Sequence, residues 1–134
     1  MTAPCHPSRA SSLIQDSTTQ AIQRWISALN APHSSEKLQE AVDPGICVER
    51  YGFGEQTGQL VEEFAGIEEV ESWIKRSPPD VTFATKSAVA HKNGLFEVDF
   101  HITAPEFDGG GSWRFTLSSQ HRINWLEHRP DNLK

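Results

Sequence analysis

The sequence is poor in sulfur and in phenols: Cys5 and Cys47 are its only cysteines, Met1 its only methionine and Tyr51 its only tyrosine. Two cysteines make no disulfide framework, and Cys47, in a β-like stretch, reads as a small buried apolar residue. No apolar run approaches the roughly 20 residues that a helix needs to cross a bilayer, so no membrane partner is expected. Positive charge is sparse and scattered, with 12 Lys and Arg against 18 Asp and Glu and a net charge of −6. A chain without a basic stripe lacks the phosphate neutralisation that supplies most nucleic-acid affinity. Metal-ligand spacings are missing too. The six histidines form no His-x-His or Glu-x-x-His pair, and only His101 and His128 lie in strands with a prospect of meeting. Gly109-Gly110-Gly111 has no strand–loop–helix setting and is no phosphate loop. Neither a metal nor a cofactor is expected. The polar stretch from Met1 to Ser12 has no apolar h-region, which makes the cytoplasm the expected compartment.

What is present is an ordinary globular composition, 37% hydrophobic and 22% charged over 134 residues, enough for one domain. The expected layout is a disordered tail over 1–16, a single domain over 17–130 and a short C-terminal tail over 131–134. Ile22, Trp25, Ile26 and Leu29 fall at i, i+3, i+4 and i+7, predicting a helix from about Ser17 to Asn30, with Ser17 and Gln20 as a capping box. A second helix is predicted over Ser35 to Val42. A third covers Ile67 to Arg76, with Ile67, Val70, Trp73 and Ile74 as its buried stripe and charges that suit its dipole. Ile46 to Tyr51 and Leu60 to Phe64 read as short strands. The remainder reads as a meander: Val81 to His91, an Asn93-Gly94 hairpin, Leu95 to Thr103, a Gly109-Gly110-Gly111 turn, Ser112 to Ser119, and Arg122 to Arg129. The fold class is α+β, with helices gathered on one face of a curved, mostly antiparallel sheet.

This order of elements resembles the nuclear transport factor 2-like superfamily, which includes ketosteroid isomerase, limonene epoxide hydrolase and the SnoaL-like polyketide cyclases. Residues 21–30 (AIQRWISALN) look like the first helix of the isomerases. Gly66-Ile67-Glu68-Glu69-Val70 through Trp73-Ile74 looks like the family's third helix, and Arg122-Ile123-Asn124-Trp125 resembles its closing strand, with His121 where glycine is usual. The resemblance spans about Ser17 to Pro130. It implies a cone-shaped fold around an apolar cavity, a hydrophobic small molecule as ligand, and a homodimer formed through the outer sheet face. The isomerase takes a proton with a carboxylate on its first strand and stabilises the oxyanion with a helix tyrosine and a protonated acid. Here Trp25 stands at the tyrosine, Arg50 or Tyr51 at the base, and Trp113 or Arg114 at the late acid. Tryptophan shuttles no proton and arginine stays charged, so these replacements argue against that chemistry.

Two clusters remain as candidate sites. Glu97, Asp99 and His101 share one face of a strand, with neighbours about 7 Å apart. Facing inward, Asp99 would serve as a catalytic base with His101 as acid or orienting partner. Limonene epoxide hydrolase has a similar charged-x-Asp spacing, though with Arg where Glu97 stands. The alternation of Phe96, Val98, Phe100 and Ile102 offers the opposite reading, in which the charged face meets solvent or a second subunit. Trp25, Tyr51, Phe53, Trp113 and Phe115 are the candidate pocket residues, with core filling as the alternative. Arg50 either pairs with an anionic ligand or bonds a carboxylate such as Glu49. The functional expectation is a small-molecule-binding, SnoaL-like protein, as a binding protein or a cofactor-independent isomerase, cyclase or hydrolase. The alternative is a non-catalytic dimeric interaction module that uses the exposed sheet face.

Overall fold

The computed structural model describes residues 15–52, 58–76, 80–105 and 107–131. Helices α1 (Gln15–Leu29) and α2 (Ser35–Ala41) lead into strands β1 (Val42–Tyr51) and β2 (Leu60–Ala65). Helix α3 (Ile67–Lys75) follows, then β3 (Thr82–Thr85), β4 (Ala90–Lys92), β5 (Leu95–Ala104), β6 (Phe107–Leu117) and β7 (Ile123–Pro130). The helices match the sequence pattern closely at their buried stripes: Ile22, Trp25, Ile26 and Leu29 of α1 are all buried, as are Val70 and Ile74 of α3. Helix α1 begins two residues before Ser17, so Ser17 lies inside the first turn and is not its cap. Instead Ser34 caps α2 by accepting from the Lys37 N–H.

One sheet carries all the strands in the order β2-β1-β7-β6-β5-β3, with β4 also paired to β5. Every pairing is antiparallel except β1 with β7, so the sheet is mixed. The predicted strand over Val81 to His91 is divided into β3 and β4, both on β5. Asn93 and Gly94, at φ 53° and 80°, close the expected tight hairpin. His121 also takes a left-handed φ, 62°, in the turn before β7.

Glycines 109–111 are not a turn. They lie within β6, opposite Ile102, His101 and Phe100. A Cβ on Gly111 would stand 2.9 Å from Phe100 Cζ, and one on Gly110 would stand 2.6 Å from the Phe100 carbonyl oxygen. Close packing, not flexibility, explains those residues.

Register sorts the two faces of the sheet, because residues opposite one another on paired strands project to the same side. Phe64, Val48, Leu126, Phe115 and Phe96 form one row across β2, β1, β7, β6 and β5, and all are buried. The next row is Glu62, Arg50, His128, Trp113 and Val98. These rows face the helices and make the core with Trp25, Ile22 and Ile74. The outer face carries Glu63, Glu49, Glu127, Arg114 and Glu97 in the corresponding row. Asn30, just past α1, donates to the Phe83 carbonyl at 3.0 Å and accepts from its N–H at 2.8 Å. This two-bond clamp fixes the end of α1 against β3.

Candidate functional site

The inner row places one titratable ring among aromatics. His128, on β7, is 9% exposed. Its Nδ1 accepts a hydrogen bond from Trp113 Nε1 at 3.0 Å. That bond assigns the proton of the neutral imidazole to Nε2. Phe100 stacks on Trp113, with centroids 4.2 Å apart, and on His128 at 5.2 Å. Burial, with a smaller contribution from the Arg50 charge, lowers the His128 pKa to about 3. The ring is therefore neutral at ordinary pH, and its Nε2–H is a neutral donor.

A second neutral donor lies nearby. Trp25, on α1, is fully buried, and its Nε1–H has no partner among the described residues. It meets Trp113 edge-on at 6.3 Å. Trp73, on α3, touches both donor-bearing rings: it stacks on Trp25 at 6.5 Å and sits edge-on to His128 at 5.4 Å. Trp73 is itself only partly buried. At the edge of the row, Arg50 donates to Glu62 through Nε at 2.7 Å, and Arg76 Nη2 lies 3.5 Å from the other Glu62 oxygen.

The expected pocket residues divide. Trp25, Trp113 and Phe115 are interior and fully buried. Phe53 lies outside the described residues. Tyr51 projects from the outer face, where its hydroxyl donates to Glu49 at 3.4 Å and the Arg129 guanidinium stands 4.0 Å from its ring centroid. Burial first, then Glu127 and Glu49, push its phenol pKa up. Arg50 bonds Glu62 rather than Glu49, because alternation along β1 puts Glu49 on the other face.

Glu97, Asp99 and His101 stand together on the outer face, away from Phe96, Val98 and Phe100, which are buried. Glu97 pairs with Lys92 at 3.6 Å, and His101 lies 3.5 Å from Asp108. His101 and His128 do not meet, being on opposite sides of the sheet. The sequence placed Trp73 on a buried stripe but gave no reason to single it out. The sequence pairs His128 only with His101 and gives no sign that it is interior, because in β7 both faces are packed: Trp125 and Glu127 are as buried as Leu126 and His128, and the alternation signal vanishes.

Two other places are less suited to a ligand. Cys47, Glu49 and Glu63 lie close enough to share an ion. Cys47 is disulfide-bonded, however, contrary to its reading as a plain buried side chain, and its sulfur is not available to a metal. A groove of about 360 Å³ runs between α1 and α2, lined by Gln20, Arg24, Lys37 and Glu40, all exposed and all outside the core.

No protein-family model and no curated protein matches the chain. Solved structures do. A protein assigned as a SnoaL-like polyketide cyclase from Jannaschia sp. CCS1 superposes with a TM-score of 0.69 at 12% identity, covering 92% of this chain and 91% of that one. One assigned as a ketosteroid isomerase from Kribbella flavida DSM 17836 gives 0.67 at 11%, covering 89% and 79%. An NTF-2-like protein of unknown function from Burkholderia xenovorans LB400 gives 0.67 at 10%, covering 90% and 87%. At such identities the likeness is one of architecture. No helix among the described residues is long and apolar enough to cross a membrane. From its element order, mixed curved sheet and these superpositions, the chain has the nuclear transport factor 2-like fold.

Proposed function

We propose that this protein binds a flat, largely apolar small molecule through its inner sheet face. The observation that carries the reading is the buried Trp25 Nε1–H, without a partner among the described residues, set with the neutral His128 ring among aromatic side chains that include Trp73. A buried donor without an acceptor is costly, and an oxygen of the ligand relieves that cost at Trp25. The resemblance of the fold to structures assigned as SnoaL-like cyclases and ketosteroid isomerases supports a small molecule as the ligand.

The site is better suited to binding than to proton transfer. Glu62 is the only carboxylate in the two inner rows, and two arginines hold it. Asp99 and His101 stand on the other side of the sheet and take no part in this site. The second reading, a dimeric interaction module, has less support. The only large hydrophobic residue with high exposure among those described is Leu60, at 49%, so the outer face offers no broad apolar patch.

The test is a titration with 2-acetonaphthone, read by tryptophan emission in a Trp125→Phe background so that only inner-face indoles report. Quenching with saturation is expected. Trp25→Phe, which keeps an aromatic side chain of smaller size but removes the donor, should weaken binding about tenfold, as loss of one buried hydrogen bond implies. Asp99→Asn should leave it unchanged. Saturable binding that Trp25→Phe leaves intact and Asp99→Asn abolishes would transfer the site to the outer face.

A further inference from the structure

The charges at the edge of the inner row do not cancel. Glu62 accepts from Arg50 through Nε and also pairs with Arg50 Nη2, while its second oxygen faces Arg76. One carboxylate thus serves two guanidiniums, leaving one surplus positive charge in a chain of net charge −6. Among the described residues neither arginine has another acidic partner. Each guanidinium has five N–H donors in a fixed fork, and Glu62 occupies only a few of them. Holding β1 to β2 requires only Arg50; Arg76, at the end of α3, supplies the surplus.

This surplus adjoins the proposed ligand site. The Arg76 guanidinium stands 5.8 Å over the Phe64 ring, Phe64 stacks on Trp73 at 5.2 Å, and Trp73 meets His128. Arg50 is the register neighbour of His128 on the same face. Burial chiefly, and the Arg50 charge in addition, keep His128 from taking a proton, so Arg50 acts on the interior ring as a cation. Both arginines retain contact with water, Arg50 at 28% side-chain exposure and Arg76 at 61%, which keeps the cost of a surplus charge low.

We propose that the ligand is an amphipathic organic carboxylate: a flat apolar body with an acceptor oxygen toward Trp25, and a carboxylate held at the rim by Arg50 and Arg76. The inference rests on the binding role proposed above and specifies the class of molecule. A planar carboxylate suits the guanidinium fork, and Glu62 keeps both arginines in place until the ligand arrives. A neutral ligand of the same shape fills the interior but leaves the rim charge unanswered.

Calorimetric titration with 6-acetyl-2-naphthoate and its uncharged primary amide separates these cases, since the two share body, ketone and size. At pH 7.5 and low salt the carboxylate should bind at least fivefold more tightly. Added salt should shrink that preference. Arg76→Gln, a change at an exposed side chain that the fold tolerates, should reduce it below twofold, and Arg76→Lys should restore part of it. Equal binding of the two probes, or a preference that Arg76→Gln leaves intact, overturns the anion assignment while the interior site stands. Binding of neither probe overturns both.

Discussion

His128 is an ionisable side chain kept in its neutral form by its surroundings, and this ties stability to pH. Its pKa is about 3 in the folded chain against 6.5 when free, so between these values the unfolded chain carries a proton that the folded chain refuses. The stabilisation is fully present above about pH 6.5 and is lost as pH falls, at about 1.4 kcal/mol per unit. From pH 7.5 to 5 this residue alone should cost about 2 kcal/mol of stability. His128→Gln keeps an acceptor for Trp113 and does not titrate. Urea midpoints measured at both pH values should therefore fall less in the variant. Parallel losses in variant and parent would mean that the imidazole is not buried as described. The same residue shows where sequence reading loses its hold. Period-two alternation says which residues share a face, and Phe96, Val98 and Phe100 pointed correctly to an apolar inner face on β5. The chemistry was sought among the polar residues of that strand, Asp99 and His101, whereas the interior polar group came from β7, where both faces are filled and no pattern marks it.

At the scale of elements, legibility follows how local the cause is. The stripe of α1 was clear because four apolar residues at helical spacing leave little choice. The triglycine does not make the expected turn, and its cause is remote: backbone carbonyls of the neighbouring strands, Arg129 at Gly111 and Phe100 at Gly110, occupy the space that side chains would need. Helix α3 is entered through Gly66, at φ 92° and ψ 154°, a region essentially closed to residues with a Cβ. Its N–H donates to the Ile46 carbonyl at 2.7 Å, tying the start of α3 to β1. No neighbour crowds the position, since the nearest atom to an added Cβ is 4.0 Å away, so the backbone alone resists substitution. Gly66→Ala should cost about 1–3 kcal/mol in thermal or urea unfolding. A neutral result would show that α3 can be entered by another path, and Trp73 and Arg76 would then be less firmly placed over the inner row.

For the molecule as a whole, β7 is the strand that joins two parts of the sheet, β2-β1 on one side and β6-β5-β3 on the other. Its Leu126 meets Val48 and Phe115 in the same row, and its His128 meets Arg50 and Trp113. A chain ended at Arg122 should lose cooperative thermal unfolding altogether, rather than melt a few degrees lower. A sharp transition surviving in that truncated chain would mean that the remaining strands can close without it. The parallel neighbour of β1 also sets a schedule for synthesis. At about 5–20 residues per second, the ribosome finishes β1 roughly 4–16 s before it finishes β7. For that interval one edge of β1 has no mate and the emerging apolar rows have no complete cover. Translation speed over residues 52–130, more than any local helix or hairpin, governs how long that hazard lasts.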